Sequence, residues 1–189
     1  ISFPRHAHPA AWIIEQYLHG KYGPPETLNP QASSILFALD RFDASDKLRS
    51  WLKEGCAIVA SRYITSGLVY AAAKARPSQR RALWKWAEHL EYKIFGIPMA
   101  DHTIILAVPT EVSQALLRRR AKTTKQRMDH LERNRSHQNE IFNIYQQLAA
   151  TSKRRITLID CAPQGNLLTK QEIHEKIWAV VRQKLVAGK

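Results

Sequence analysis

Short apolar runs alternate with helix-type periodicity along this chain. Three runs, at 56–60, 103–108 and 156–160, have the length and continuous apolar character of strands buried on both faces. Between them, apolar residues recur at intervals of three and four, which predicts helices over about 10–18, 29–52, 66–75, 77–95, 110–120, 129–149 and from 169 onward. Strands that alternate with helices predict an α/β fold with a parallel sheet and helices on both faces.

The longest predicted helix begins after Asn29. An Asn is a favoured N-cap, and Pro30 suits the first turn because its fixed φ is already helical. Gly55 is expected to end this helix. The periodicity predicts that its buried stripe consists of Ile35, Leu36, Leu39 and Phe42.

The composition is that of a globular protein. The chain has 189 residues, of which 44% are hydrophobic and 24% charged, so we expect a single domain over 1–189. No apolar run is long enough to cross a membrane, so no membrane contact is expected. The two cysteines, Cys56 and Cys161, lack metal-ligand spacing and are predicted to be buried and reduced. A cytoplasmic location follows, with an organellar matrix such as the mitochondrial one as the alternative.

The formal net charge is +13 and the pI is about 10. Such a balance favours anionic partners: nucleic acid, nucleotide phosphates or an anionic surface. Charge alone does not choose among them, and a basic surface is also compatible with a solvated face that has no partner.

Four local patterns point to one family. They occur in the order ISFPR (1–5), LFALDRF (36–42), SRYITSGLVY (61–70) and ILAVP (105–109), the last followed by a helix and a basic stretch. In order and spacing they resemble the motifs of thymidylate kinases, a family of P-loop nucleoside-monophosphate kinases, over essentially all 189 residues. The resemblance implies a P-loop-kinase-like three-layer α/β/α fold, transfer of the ATP γ-phosphoryl group to dTMP to give dTDP, and a homodimer.

The resemblance also assigns roles in an acceptor site. Arg5, Arg41 and Arg62 are expected to hold the phosphate of dTMP, and guanidinium forks suit a doubly charged phosphate better than lysine does. Phe37 lies one helical turn before Arg41, on the same side, and is expected to stack on thymine. The other substrate-binding candidates are Tyr70 near the sugar, Asp40 as a residue that orients Arg41 or caps the local charge, and Tyr63 and Ser66. An ordinary surface or core role is the alternative for each.

A basic stretch from Arg118 to Arg135 resembles the family's lid. In this family a mobile segment closes over the donor and supplies arginine to the transferring group. The candidate insert covers about 118–136, and Arg120 and Arg127, together with Arg62, are the catalytic candidates. A solvated charged face and an RNA-contacting arm are the alternatives.

The chain also departs from the family pattern. No segment fits Gly-x-x-x-x-Gly-Lys-Ser/Thr, which the family places ahead of the position of Ile1, so we expect the first strand and the phosphate-binding loop to be missing. Ser61 stands where the family has Asp, and Ala71-Ala72 replace a pair that usually touches the nucleotide. Mg²⁺ is expected to bind largely through the substrate phosphates.

Two interpretations remain open at this stage. In the first, the chain belongs to an active enzyme whose first roughly thirty residues, one strand–loop–helix unit, precede Ile1. In the second, it is a catalytically inactive, kinase-like basic subunit of a ribonucleoprotein such as an organellar ribosome. The high net charge favours the second interpretation, and the retained Phe37, Arg41, Arg62 and Tyr70 favour the first, which we place ahead.

Overall fold

A computed structural model describes residues 1–25, 27–124 and 128–187 of the chain. These residues form two compact units. The first unit comprises Ile1–Met99 with Asp129–Leu131, and the second comprises Ala100–Met128 with Glu132–Lys189. Each unit has a core of its own, and the prediction of a single domain stays a prediction.

The first unit is built from helices. They are a short 3₁₀ turn (Pro9–Ala11), α1 (Trp12–Leu18), α2 (Pro30–Lys53), α3 (Ile64–Lys74), α4 (Pro77–Glu88) and a π-helical stretch (His89–Ile94) that continues α4. Helix α3 packs against both α2 and α4. One apolar cluster, Ile64, Leu68, Ala87 and Ile97, joins α3 to α4 and the chain that follows, and a second cluster joins Phe3 to Ala44 and Leu48 of α2.

Helix α2 begins where the sequence predicts. Oδ1 of Asn29 accepts hydrogen bonds from the backbone N of Gln31 at 2.8 Å and of Ala32 at 3.4 Å, which satisfies two of the free N–H groups of the first turn. The predicted buried stripe, in contrast, is wrong, since Phe42 is 48% exposed and Leu39 is also exposed. The buried face of α2 carries small and polar residues: Ser33, Ser34, Ala38, Asp40, Arg41, Ala44, Ser45 and Leu48.

The predicted strand at 56–60 is also wrong. This segment is extended but exposed, with Val59 72% accessible, and Cys56 is exposed rather than buried. The amine of Ile1 donates to the Val59 carbonyl oxygen at 3.0 Å, and a parallel bridge between Ser2 and Ser61 follows directly after the segment. An apolar run has the right composition for a buried strand, but burial also requires strands on either side of it.

The second unit contains the parallel sheet. Strand β1 (Thr103–Ala107) pairs in parallel with β2 (Ile156–Asp160), with Thr103 opposite Ile156 and Ala107 opposite Asp160. Leu106 is exposed, so β1 is not buried on both faces as predicted. The remaining elements are α5 (Thr110–Thr124), α6 (His130–Arg133, divided between the units), α7 (Arg135–Thr151), a 3₁₀ turn (Pro163–Gly165) and α8 (Lys170–Ala187).

A capping box opens α8. The backbone N and Oγ1 of Thr169 both donate to Oε2 of Glu172 at 2.7 Å, and Oγ1 of Thr169 accepts from the backbone N of Glu172 at 3.2 Å. The predicted start of the last helix is therefore confirmed. Among the described residues, none of the helices has the length and apolar character required to cross a membrane.

Candidate functional site

The segments that precede Arg5 and Arg62 lie side by side in the first unit. Ser2 and Ser61 form the parallel bridge, and the backbone N of Phe3 donates to the Ser61 carbonyl oxygen at 2.9 Å. Parallel segments end at the same edge, which in α/β proteins is where ligands bind. The two arginine-bearing turns therefore start next to each other although they are more than fifty residues apart in the chain.

Two carboxylates hold Arg5. Its Nε donates to Oδ1 of Asp40 at 2.8 Å, its backbone N donates to Oδ2 of Asp40 at 2.9 Å, and Nη2 donates to the Asp40 carbonyl oxygen and to Asp43. Burial opposes the charged form, but the hydrogen bonds to Asp43 and Asp40 outweigh it and raise the pKa of Arg5. Asp40, predicted to orient Arg41 or to cap the local charge, directs its described hydrogen bonds to Arg5.

Arg41 is buried against Glu91. Nε of Arg41 donates to Oε2 at 2.6 Å and Nη2 donates to Oε1 at 2.7 Å, so both carboxylate oxygens are used. Arg41 is 2% exposed and Glu91 is fully buried. Gly67 lies against the same guanidinium: a Cβ at that position would stand 3.1 Å from Nη2 of Arg41.

Arg62 is exposed and stacks on Tyr70. Its guanidinium carbon lies 5.0 Å from the centroid of the Tyr70 ring, and Nη2 donates to the Tyr70 hydroxyl at 3.2 Å. The backbone φ of Arg62 is +59°, in the left-handed region that non-glycine residues rarely occupy. Such conformations concentrate at ligand sites, where the surrounding structure maintains them.

Tyr63 and Ser66 have structural contacts at the start of α3. The Tyr63 hydroxyl donates to the Pro98 carbonyl oxygen at 2.8 Å, and its ring lies 5.8 Å from that of Phe3. Burial raises the pKa of the Tyr63 phenol, against the opposing effect of the nearby Arg41 charge. The backbone N of Ser66 donates to the Tyr63 carbonyl oxygen at 3.0 Å as part of the first turn.

Phe37 is half-buried beside an unexpected polar cluster. Its ring meets that of Tyr17 edge to face, with the centroids 6.2 Å apart. Nζ of Lys74 donates to the Tyr17 hydroxyl at 3.1 Å, to the Pro25 carbonyl oxygen at 2.6 Å and to Oγ of Ser33 at 3.3 Å. Lys74 thereby connects α1, α2 and α3 around the position of Phe37.

The basic stretch continues α5 in the second unit. Nη2 of Arg120 donates to both carboxylate oxygens of Glu132, at 3.0 and 2.8 Å, and Nε2 of Gln114 donates to the Glu132 carbonyl oxygen at 2.7 Å. Arg120 therefore has an acidic partner in this structure. Arg127, the other predicted catalytic residue of this stretch, lies outside the described residues.

Comparison with known proteins identifies the family. The family model described as thymidylate kinase matches residues 1–177. The chain belongs to the thymidylate kinase family. It is 30% identical to the thymidylate kinase of Mycobacterium tuberculosis (strain H37Rv) over 152 residues, which cover 79% of this chain and 71% of that protein. The corresponding figures for the thymidylate kinase of Thermomicrobium roseum are 27% over 165 residues, 87% and 72%.

A solved thymidylate kinase has the same fold. The thymidylate kinase of Candida albicans superposes with a TM-score of 0.68 at 20% identity, covering 97% of this chain and 78% of the other. The predicted α/β fold of the P-loop kinase type is thus confirmed. The enzyme class, nucleotide kinase, follows from the family.

Two departures from the thymidylate kinase pattern have a local structural setting. Ser61, in place of Asp, forms the bridge to Ser2 through its backbone. Ala71 and Ala72, in place of a nucleotide-contacting pair, are each 2% exposed on α3 and pack in the interior. Small apolar side chains at these two positions provide no polar contact to a nucleotide.

The described residues do not fit a resident metal ion. Among them there is no group of three His, Cys, Asp or Glu side chains that could hold one. The 189-residue sequence contains no Gly-x-x-x-x-Gly-Lys-Ser/Thr segment. Thymidylate kinases use ATP and Mg²⁺ in general, and the residues predicted for the acceptor nucleotide all lie in the first unit.

Four residues at or beside the candidate site lack a sequence signal. Glu91 pairs with Arg41 across fifty positions, Asp43 joins Asp40 on Arg5, and Lys74 with Tyr17 forms the cluster beside Phe37. For Glu91 the available hint is an acidic residue in the apolar stretch from Leu90 to Phe95. Nothing in the spacing indicates which basic residue neutralises it.

Proposed function

We propose that the intact protein transfers the γ-phosphoryl group of ATP to dTMP and that the first unit of this chain builds the dTMP site. Membership of the thymidylate kinase family supports the reaction. The occurrence of Arg5, Phe37, Arg41 and Arg62 in one compact unit supports the location. The observation that carries the proposal is the exposed Arg62 guanidinium, stacked on Tyr70 at the end of the segment bridged to Ser2.

Arg62 is the first candidate for the acceptor phosphate. It is exposed, its guanidinium lies over the Tyr70 ring, and a guanidinium fork suits bidentate phosphate binding. Arg5 and Arg41 donate to carboxylates, which offset part of their charge. We assign Arg62 the dianionic phosphate because of its exposure and position, and we give Arg5 and Arg41 supporting roles at the same site.

The remaining acceptor residues follow from their positions. Phe37 offers the aromatic face for thymine, and Tyr70 is assigned to the sugar. Tyr63 and Ser66 form the turn at the start of α3. Asp40 acts through Arg5, to which it is bonded. None of these residues forms a covalent bond with the substrate in this proposal, since phosphoryl transfer relies on positioning and charge stabilisation.

The chemistry is an in-line displacement. A phosphate oxygen of dTMP attacks the γ-phosphorus, the bond from that phosphorus to the β–γ bridging oxygen breaks, and dTDP and ADP result. Mg²⁺ supplies charge neutralisation when it is bound to the nucleotide phosphates. Arg120 and Arg127 remain proposals for additional positive charge; Arg120 would first have to exchange Glu132 for the substrate.

Titration calorimetry with dTMP tests this proposal. We expect saturable binding to the wild type, and weakening by about ten-fold or more for Arg62→Ala, because one charge-assisted interaction with the phosphate is lost. Arg81→Ala, which removes an exposed arginine of α4, is the matched control and should bind normally. Absence of binding at millimolar dTMP, or equal affinities for the two variants, would contradict the assignment.

We further propose that the partner of this chain is a second copy of itself. Phe42 and Ile94 are exposed apolar side chains, and Phe42 packs on Phe95 with the ring centroids 5.1 Å apart, so the surface is apolar beyond a single residue. The ribonucleoprotein interpretation receives no support from the family assignment. The net charge of +13 is also what a protein that binds nucleotide phosphates can use.

A further inference from the structure

We infer that Glu91 is a positioning residue of the acceptor site, which holds Arg41 in the orientation that dTMP binding requires. The inference rests on the proposed function. Glu91 does not belong to any of the four motifs that indicate the family, and it lies fifty residues beyond Arg41. It is assigned here from the contacts of the first unit.

Glu91 and Arg41 form a bidentate ion pair. Two parallel hydrogen bonds, of 2.6 and 2.7 Å, join the two oxygens of Glu91 to Nε and Nη2 of Arg41. A bidentate pair of this kind fixes the plane of a guanidinium as well as its position. The donors that remain for a ligand are both hydrogens of Nη1 and the second hydrogen of Nη2, and their directions are set by that plane.

Glu91 and Arg41 form a buried pair. Glu91 is fully buried and Arg41 is 2% exposed, so both charges have left water. Removing two ions from water offsets much of their mutual attraction, and apolar residues of the same size often stabilise a core equally well. Stability alone is therefore a weak reason for an ion pair here, whereas the orientation of a ligand-binding arginine gives the pair a second role.

The backbone near the pair accommodates it. Glu91 comes from the π-helical stretch His89–Ile94, a widened helical form that is frequent at functional sites. Gly67 leaves room for Nη2 of Arg41, since a Cβ at position 67 would be 3.1 Å from it. Nη2 cannot move away while Glu91 holds it, so a side chain at position 67 would disturb the guanidinium.

Arg41 is linked to the other candidate acceptor residues. Arg41 lies one turn after Phe37 on α2, and Gly67 lies between Arg62 and Tyr70 in the chain. The guanidinium that Glu91 orients is thus attached to the helix that carries the base-stacking candidate, and it contacts the segment that carries the phosphate candidate. A rotation of the Arg41 side chain would therefore change the surroundings of Phe37 and of the segment that carries Arg62.

The test compares dTMP binding by the wild type, Glu91→Gln and the matched control Glu175→Gln, whose carboxylate is exposed on α8. Gln keeps the shape of Glu but offers only one acceptor to the fork, so we expect the Kd for dTMP to rise about ten-fold. In steady-state kinetics the KM for dTMP should rise while the KM for ATP stays within about two-fold. Glu175→Gln should match the wild type in both.

A double-mutant cycle separates positioning from a merely structural role. If Glu91 acts through Arg41, then Glu91→Leu should weaken dTMP binding in the wild type and have no further effect in an Arg41→Leu background. Gly67→Ala, which leaves every charge in place, should also raise the KM for dTMP. Circular dichroism and thermal melting show which variants are folded. If Glu91→Gln is not folded, the double variant Arg41→Leu/Glu91→Leu is used instead, because it leaves no buried charge without a partner.

The outcomes are distinct for the two proposals. A wild type that does not bind dTMP overturns the proposed function. A wild type that binds dTMP, with folded Glu91→Gln and Gly67→Ala variants of unchanged affinity, overturns the positioning role of Glu91 alone. Additive effects in the double-mutant cycle also overturn it, since they mean that Glu91 does not act through Arg41.

Discussion

At the scale of single residues, the three candidate site arginines differ in their described contacts. Arg5 donates to Asp40 and Asp43, Arg41 donates to Glu91, and Arg62 stacks on a tyrosine. Identical side chains in similar motifs thus have different electrostatic settings. The unfolded chain lacks these contacts. We therefore expect the three arginines to contribute by different amounts to stability and to ligand affinity.

The two carboxylates on Arg5 should differ in their effect on stability. Asp40 is 1% exposed and accepts the Nε and backbone N–H of Arg5, whereas Asp43 is 49% exposed. We expect Asp40→Ala to lower the free energy of unfolding by about 3 kcal/mol, because the partly buried charge of Arg5 then loses its main partner. Asp43→Ala should lower the free energy of unfolding by less than about 1 kcal/mol. Urea denaturation measures both, and equal losses would contradict the description of Asp40 as the principal partner.

Tyr63 should make the protein sensitive to alkali. Burial raises the pKa of its phenol in the folded state, so the folded protein keeps a proton that the unfolded chain releases near the ordinary phenol pKa of about 10. The stability contribution is full below that pH and is lost as the pH rises towards the folded-state pKa. Tyr63→Phe should therefore show a shallower decline of unfolding free energy above pH about 10 than the wild type, and parallel declines would refute this.

At the scale of elements, local chemistry sets where helices begin. Asn29 caps α2 and the Thr169–Glu172 box opens α8, both at positions that the sequence predicts. Strands depend on neighbours instead, and the apolar segment at 56–60 is extended and exposed in the described structure. The apolar composition was equally clear in the helical and the strand segments. Only the helices, however, form their backbone hydrogen bonds within one segment of the chain.

The cap of α2 provides an element-scale prediction. Asn29→Ala removes the acceptor for Gln31 N and Ala32 N, and should lower the free energy of unfolding by about 1 kcal/mol. Asn29→Ser retains a capping oxygen and should be close to the wild type. Thermal unfolding of the three proteins measures the difference, and an Ala variant as stable as the Ser variant would mean that the cap contributes nothing.

At the scale of the whole molecule, charge and exposed apolar surface bear on the proposed partners. The net charge of +13 favours anionic partners such as nucleotide phosphates, and the exposed Phe42 and Ile94 support the proposed protein partner. The proposed second copy would cover these side chains. The candidate acceptor residues lie in the first unit, and the parallel sheet and Arg120 lie in the second.

Sedimentation equilibrium tests the homodimer. The wild type should sediment at twice the mass of 21.7 kDa, and Phe42→Glu should shift it to the monomer because a charge cannot be buried unpaired in an apolar interface. Trp178→Glu, at an exposed aromatic of α8, is the control and should remain dimeric. A wild type that is monomeric at micromolar concentration would rule out a tight dimer.

The sequence by itself determined the helix periodicities, two of the three predicted strands, the caps at Asn29 and Thr169, and the family, because these depend on residues close together in the chain. Only the tertiary structure decided that Arg41 pairs with Glu91, that Asp40 serves Arg5 and that Phe42 is exposed. Each of these depends on which surfaces of distant segments meet. A buried charge selects its partner by packing, and helical spacing identifies an apolar stripe without telling which side of the helix the rest of the chain will cover.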